Sequence, residues 1–240
     1  MNHPPFAILP WDSKTFGYTV ASIEQTTRTK KELAAIIADL KEHQVHLAYW
    51  MIDPEDRESV AAASINGGFL ADQKVTFVRA VGDELVQDDD NGIVSYLHRE
   101  LNDRVLSLAL QSGVYSRYKV DPHFVKGEFE TLYRAWIEKS LRGDIAEDVL
   151  VCEEGKGVAG LITVGTKNGR GDIGILSVDE NFRGKAIGSR LVQAALSHFH
   201  ARGHASCQVV TQKGNEGACR FYRKCGFEEE RTWNVYHFWL

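Results

Sequence analysis

The chain has 240 residues, with 28 basic and 33 acidic side chains and a formal charge of −5. This mild acidity argues against non-specific nucleic-acid binding, which needs clustered lysine and arginine. No apolar run approaches the roughly 20 residues that span a bilayer, and no signal peptide is visible at the N-terminus. Four cysteines without a CxxC pair indicate free thiols. We therefore expect a cytoplasmic protein with no nucleic-acid and no membrane partner.

The first ninety residues alternate predicted strands and helices. The predicted strands are 18–23, 46–52 and 74–81. One helix is predicted from a Thr29 cap to residue 42, and another from an Asp53 cap to a stop at 66–68. The acidic run at 87–90, followed by Asn-Gly, is typical of a solvated turn. It predicts a boundary between an N-terminal α/β unit, 1–90, and a second unit, 91–240.

The second unit continues this alternation and adds a hairpin. Its predicted strands are 93–98, 149–153, 157–164, 172–178, 205–211 and 232–240. Its predicted helices are 103–111, 128–141, 187–202 and 216–224. Residues 112–124 are predicted to be irregular, and 228–231 to form a solvated turn. Alternating strands and helices with an internal hairpin predict a mixed α/β (α+β) sheet.

Two segments of the chain repeat one pattern. Residues 46–69 and 204–227 align without gaps, with Gly68 on Gly226, and each leads from a short strand through a helix to Gly-Phe. The alignment indicates either a duplicated half-domain or two generic strand–helix–strand units. In this alignment Arg57 stands opposite Asn215, and Ser64 opposite Tyr222. We expect the first copy to be a structural partner of the second.

The densest motif runs from residue 176 to residue 191. An apolar strand ending in Leu176, Ser177 and Val178 leads through a turn of small residues into a helix. Such a turn points several backbone N–H groups at one spot, where the helix dipole adds positive potential, so it suits a pyrophosphate. The residues of the turn are Arg183, Gly184, Lys185, Ala186, Ile187, Gly188 and Ser189. A plain tight connection between strand and helix is the alternative.

A second motif, 215–227, follows near the end of the chain. Asn215 is the predicted N-cap of its helix, and Tyr222 lies seven residues later, about two turns, on the same face. A tyrosine hydroxyl, with an unperturbed pKa near 10, can give its proton to a leaving thiolate. A packed core aromatic is the alternative interpretation of Tyr222.

Together the two motifs resemble the GNAT superfamily of acyl-CoA-dependent N-acyltransferases. The shared patterns are Arg-x-x-small-x-Gly on the turn and Asn-x-x-Ala-x-x-Phe-Tyr-x-x-x-Gly-Phe after it, with Ala186 where the family usually has glycine. The resemblance implies a GNAT fold, in which helices flank a mixed, mostly antiparallel central sheet. It also implies acetyl-CoA, or another acyl-CoA, as co-substrate, and no metal.

The same resemblance implies a role for each motif residue. Backbone amides of residues 183–189 would hold the pyrophosphate of coenzyme A. The strand 176–178 would pair with the pantetheine arm, and Asn215 and Ala218 would contact it. Tyr222 would protonate the departing thiolate after direct attack of a neutral amine on the thioester, whose carbonyl a backbone N–H polarises.

Three further segments narrow the resemblance. Residues 11–17, 112–118 and 129–143 resemble acetyltransferases that act on the amine of a dTDP-linked amino-dideoxy sugar. The resemblance implies an acceptor site with rings to stack on a base and cations to neutralise a diphosphate. Its residues would be Tyr115, Ser116, Arg117, Tyr118, His123, Tyr133 and Trp136. The alternatives are core aromatics on the helix, a solvated loop at 112–124, and a structural His123 in place of a proton acceptor.

Other functions stay open at this point. The acceptor could instead be an antibiotic amine, a polyamine or a protein N-terminus. A further alternative is that the protein is not an enzyme but a non-catalytic sensor of acyl-CoA. We also expect a homodimer, because Tyr236, Phe238 and Trp239 end the chain in an apolar strand that needs covering.

Overall fold

The computed structural model describes residues 5–82, 92–155 and 157–240. Its strands are β1 (Phe6–Ile8), β2 (Val20–Ile23), β3 (Leu47–Ile52), β4 (Phe69–Ala80), β5 (Ile93–Ser95), β6 (Asp148–Glu154), β7 (Gly157–Lys167), β8 (Arg170–Val178), β9 (Ser206–Gln212) and β10 (Glu228–Trp239). Its α-helices are α1 (Pro10–Phe16), α2 (Lys30–Glu42), α3 (Arg57–Ile65), α4 (Asp103–Ser112), α5 (Arg117–Val120), α6 (Glu128–Arg142), α7 (Ile187–Ala201) and α8 (Glu216–Lys224).

All these strands lie in one sheet. Their order is β1-β2-β3-β10-β4-β9-β8-β7-β6-β5. Neighbours are antiparallel except for two parallel pairs, β2 with β3 and β8 with β9. Helices cover both faces and enclose apolar clusters, the largest of which joins β4, β7 and β9 to α7 and α8. The predicted mixed, mostly antiparallel sheet flanked by helices is confirmed.

The last strand does not lie where the chain order would put it. β10 is inserted between β3 and β4, pairing Tyr236 with Trp50 on one side and Thr232 with Val75 on the other. β4 in turn lies between β10 and β9. The strands before and after residue 90 therefore share one sheet, and the proposed boundary between residues 90 and 91 falls outside the described residues.

This central position also removes the argument for a homodimer. Tyr236 and Phe238 are buried against α2 and α3 inside the chain, so the apolar end of β10 is already covered. A dimer is not needed to bury it.

The two halves of the central sheet repeat one arrangement. The order β1, β2, α2, β3, α3, β4 matches β7, β8, α7, β9, α8, β10, with the same parallel pair and the same antiparallel partners. Equivalent helix caps are Asp56 and Asn215, so the offset is one residue longer than the ungapped alignment predicted. In the corrected register Tyr222 lies opposite Ala63, and Asn215 opposite Asp56.

Several local predictions are wrong at their ends. Helix α3 begins at Arg57 with Asp56 as its cap, because the Asp56 carboxylate, and not that of Asp53, accepts from a first-turn N–H, that of Ser59 at 3.1 Å. The charged run from Glu228 is not a turn but the first part of β10, where Arg170 and Arg223 pair with its glutamates. Among the described residues, no helix is long and apolar enough to cross a membrane.

Candidate active site

The two parallel strands β8 and β9 separate along their length. They pair only from Gly171 with Cys207 to Ile173 with Val209, although β8 continues to Val178 and β9 to Gln212. The backbone groups on the facing edges beyond Ile173 are therefore left without a strand partner on that side. Such an edge can take an added extended chain by backbone hydrogen bonding.

Helix α7 begins beside this opening with an uncapped N-terminus. Its N-cap residue is Ala186 in a left-handed conformation, φ 59°, and no side chain caps the first turn. Helix α2, at the equivalent place in the first half, is closed by a capping box in which the side chains of Thr29 and Glu32 satisfy its first N–H groups. Of these two helix N-termini, that of α7 is therefore the one whose first-turn backbone donors are open to an anion.

A cleft of about 980 Å³ joins the strand opening to this helix terminus. Its wall contains twelve of the thirteen residues that the sequence assigns to acyl-CoA binding and catalysis: Leu176, Ser177, Val178, Arg183, Gly184, Ala186, Ile187, Gly188, Ser189, Asn215, Ala218 and Tyr222. The exception is Lys185, whose ammonium lies over the ring of Phe182, 4.9 Å from its centroid. The sequence did not single out Gln111, Arg220 or Phe221, which also line the cleft.

Helices α7 and α8 approach closely at Gly188. A Cβ atom there would lie 3.2 Å from the ring of Phe221, so only glycine fits without displacing that ring. Asn215 begins α8 as predicted, and its side-chain oxygen accepts from the backbone N–H of Ala218 at 3.1 Å. The contact between Gly188 and Phe221 therefore holds α8 close to the first turn of α7.

Tyr222 is 6% exposed and lies among Phe77, Phe221 and Phe227. Burial raises the pKa of its hydroxyl well above the usual value, so the phenol stays protonated at physiological pH. No described residue hydrogen-bonds this hydroxyl, and the residue lines the cleft. The cleft wall therefore presents a protonated phenol, a group that can donate a proton.

The residues predicted for the acceptor are not brought together on one wall. Tyr115 is 47% exposed and lines the cleft. Tyr118, Tyr133 and Trp136 pack on one another in the interior, and Trp136 also stacks on Trp11 at 6.4 Å. Ser116 is buried in the same region. Tyr118, Tyr133 and Trp136 are therefore part of the hydrophobic core.

His123 lies apart from the cleft wall. Its Nδ1 is 2.7 Å from Asp121 Oδ1, and its ring stacks on Trp239 at 5.4 Å. Asp121 also accepts from His237 Nδ1 at 2.6 Å and from Trp239 Nε1 at 2.9 Å. This network ties the loop before α6 to β10. Among the described residues, no group of three His, Cys, Asp or Glu side chains could hold a metal ion.

A group of charged side chains from β4, α1 and α5 lies together, and the sequence singled out only Arg117 among them. This charged cluster consists of Asp12, Asp72, Lys74 and Arg117. The Arg117 guanidinium lies over the rings of Tyr49 and Tyr118, at 4.4 and 4.6 Å. Burial raises the pKa of Asp72 to about 6 and, with the nearby Arg117 charge, lowers the pKa of Lys74 to about 7.

Comparison with known proteins agrees with this geometry. Residues 113–227 match the acetyltransferase (GNAT) family. The chain is 26% identical over 135 residues to the spore coat polysaccharide biosynthesis protein SpsD of Bacillus subtilis, covering 56% of this chain and 46% of that protein. It is 29% identical over 127 residues to dTDP-fucosamine acetyltransferase of Escherichia coli, covering 52% and 54%. The matches thus span about half the length of these curated relatives.

Solved structures share the fold over a greater length. A conserved protein of unknown function from Staphylococcus epidermidis superposes with a TM-score of 0.70 at 14% identity, over 100% of this chain and 92% of that one. A tandem GNAT protein from the clavulanic acid biosynthesis pathway superposes with a TM-score of 0.58 at 17% identity, over 92% and 75%. Residues 113–227, just under half of the chain, therefore carry the match to the acetyltransferase (GNAT) family, and the chain as a whole shares the fold of these solved structures.

Proposed function

We propose that the chain transfers an acetyl group, or another short acyl group, from coenzyme A to the amine of a dTDP-linked amino sugar. The single observation that carries the transfer step is the shared cleft, in which the separated strands, the uncapped α7 terminus and Tyr222 meet. An acyl-CoA co-substrate needs three things from the protein: a free strand edge for its pantetheine arm, backbone amides for its pyrophosphate, and a proton for the leaving thiolate. The separated strands, the α7 terminus and Tyr222 supply them in that order.

Residues 183–189 hold the pyrophosphate in this proposal. The edge of β8 at Leu176, Ser177 and Val178 pairs with the pantetheine arm, and Asn215 and Ala218 contact it from α8. The amine attacks the thioester carbonyl directly, and Tyr222 gives its proton to the sulfur as the carbon–sulfur bond breaks. The tyrosine recovers a proton from solvent before the next turnover.

The amino-sugar acceptor is supported by the relatives. One is named as a dTDP-fucosamine acetyltransferase and the other as a polysaccharide biosynthesis protein. The product would then be an N-acylated sugar nucleotide made for a polysaccharide. Tyr115, exposed at the cleft wall, is the aromatic side chain available for stacking on the acceptor's base.

We propose that residues 1–90 bind no coenzyme A of their own. The capping box of α2 satisfies the N–H groups that a pyrophosphate would need, and Ala63 stands opposite Tyr222. This half therefore lacks both the anion site and the acid, and its strands extend the sheet.

A mass-spectrometric screen tests the proposed reaction. The wild-type protein is incubated with several acyl-CoAs against dTDP-amino sugars, polyamines and a peptide with a free N-terminus. Acylation of a dTDP-amino sugar in preference to the other amines supports the proposal. Preferred acylation of another amine contradicts the acceptor, and binding of acetyl-CoA without any acylation indicates a sensor instead.

A further inference from the structure

Strand β4 brings residues of the N-terminal half to the open end of the cleft. Its neighbour β9 ends at Gln212, which pairs with Lys74, and Lys213 N–H donates to the Gln73 carbonyl at 2.8 Å. Asp72 therefore lies just past the end of β9. The parallel partner of β9 has already diverged at this level, because pairing with β8 stops at Val209.

The alternation of β4 places Asp72 and Tyr222 on opposite faces of the sheet. Val75 and Phe77 pack in the same cluster as Tyr222, and the Phe77 and Tyr222 rings lie 5.9 Å apart. Lys74 and Asp72 therefore point to the other face, because β4 has no extra residue between Asp72 and Phe77. Of the two register shifts in its pairing with β10, one lies before Asp72 and the other places the extra residue, Glu230, on β10. Helix α5, which carries Arg117, packs on β4 there.

The charged cluster lies on that face without close ion pairs, although the Arg117 guanidinium donates to the Tyr118 hydroxyl. Asp72 is 7% exposed. Over the described ranges, no ion pair of 4.0 Å or less joins Asp12, Asp72, Lys74 or Arg117 to any group. Two buried atoms beside them, Arg117 Nε and Tyr49 Oη, also find no hydrogen-bond partner there. Burying charges without close partners lowers the stability of the fold, and a bound polar ligand would offset that cost. The cluster therefore has the properties expected of a binding site.

We propose that Asp72 is the catalytic proton acceptor for the incoming amine, and that Lys74 and Arg117 are positioning residues that keep its carboxylate ionised. This inference rests on the proposed amine acylation and names a residue of that same site. The N-terminal half would then complete the active site of the second half, through the strand that it inserts beside β9.

The proton balance is as follows. The acceptor arrives as an ammonium ion and gives one proton to the Asp72 carboxylate, which passes it to water. The neutral nitrogen then bonds to the carbonyl carbon, and the carbon–sulfur bond breaks. The nitrogen loses a second proton to solvent, which balances the one that Tyr222 gives to sulfur and recovers. One proton is released per amide formed.

The charges around Asp72 suit this role. Burial raises the pKa of its carboxyl to about 6, and the positive charges of Lys74 and Arg117 limit that rise. The carboxylate is therefore ionised at neutral pH and still basic enough to accept a proton. The charges that act on Asp72 are those of Lys74 on the same strand and Arg117 on α5. Asp12 and Lys167 act in turn on Lys74, and Tyr49 and Tyr118 interact with Arg117.

The test is the pH profile of kcat/KM for the Asp72→Asn variant. We expect a loss of about 100-fold near pH 7. The loss should shrink above the pKa of the acceptor amine, because the free base then needs no proton acceptor. Asp72→Glu should restore most of the rate. Lys74→Met should move the acidic limb of the wild-type profile to higher pH, because a positive charge beside Asp72 is removed.

Asp172→Asn is the matched control. Asp172 lies on β8 and accepts from Gln208 at 2.8 Å, and this variant should keep the wild-type profile. Acetyl-CoA affinity should be unchanged in Asp72→Asn, since Asp72 does not line the cleft. A wild-type rate or a loss independent of pH in Asp72→Asn would overturn the role of Asp72. If the wild-type protein acylates no amine, the proposed function itself fails, and this inference with it.

Discussion

At the scale of single residues, the turn before α7 departs at one position from the GNAT pattern that it resembles. Ala186 adopts φ 59°, a left-handed conformation that costs an L-residue about 1–2 kcal/mol and costs glycine nothing. Gly184, two residues earlier, has φ 80°. The chain therefore retains a strained alanine at the residue that orients the first amides of α7.

Replacing that alanine should stabilise the protein. We expect Ala186→Gly to raise the free energy of unfolding by about 0.5–1 kcal/mol, because the relieved strain exceeds the entropy that glycine adds to the unfolded chain. Urea denaturation measures it. The control is Gly184→Ala, whose new Cβ meets no atom within 4 Å, so that only the backbone cost of about 1 kcal/mol should appear. A less stable Ala186→Gly would contradict this account.

The buried His237 gives a pH dependence of stability. Burial lowers its pKa to about 4, although Asp121 opposes the shift. The unfolded chain therefore binds a proton that the folded one excludes, and this imidazole destabilises the fold as pH falls from about 6.5 to about 4, by as much as about 3 kcal/mol.

A variant isolates this contribution. His237→Gln keeps a donor for Asp121 and loses the titration, so its free energy of unfolding should fall less steeply over that pH range than that of the wild type. Chemical denaturation at several pH values gives the two slopes. Equal slopes would show that His237 titrates normally in the folded chain.

At the scale of elements, the two related helices α2 and α7 differ at their N-termini. The first is closed by Thr29 and Glu32, and the second is open. The sequence allowed both features to be predicted, since Thr29 is a good N-cap and the residues before Ile187 are small. The one-residue error in the offset arose because the alignment matched Gly68 to Gly226, whereas the left-handed glycine after α3 is Gly67, φ 81°, as Gly226, φ 78°, is after α8.

This difference predicts the stoichiometry of binding. Titration calorimetry with acetyl-CoA should give one site per chain, despite the repeated arrangement of strands and helices. The physical reason is that the first-turn amides of α2 already have side-chain acceptors. Two sites per chain would contradict the proposal that residues 1–90 bind no coenzyme A of their own.

At the scale of the whole molecule, the exchange of β4 and β10 joins the halves. Sequence patterns indicated both strands, because each follows a helix and a Gly-Phe pair, but a strand's partners depend on long-range pairing that no local pattern encodes.

The acyl-CoA residues could be predicted because they lie in two contiguous motifs. Asp72 and Lys74 could not, since their role depends on which strand lies beside β9. Tyr118, Tyr133 and Trp136 carry the helical spacing that is typical of core, and they pack as core.

The central claim is that the cleft performs acyl transfer with Tyr222 as the acid. The most direct measurement is kcat of Tyr222→Phe with acetyl-CoA and the preferred amine, beside the control Tyr236→Phe, a buried tyrosine of the α2–α3 core. We expect Tyr222→Phe to lose about 100-fold or more in kcat and to bind acetyl-CoA like the wild type, because the thiolate then leaves without a positioned proton. The control should keep its rate. A Tyr222→Phe variant that turns over as fast as the wild type would contradict the account.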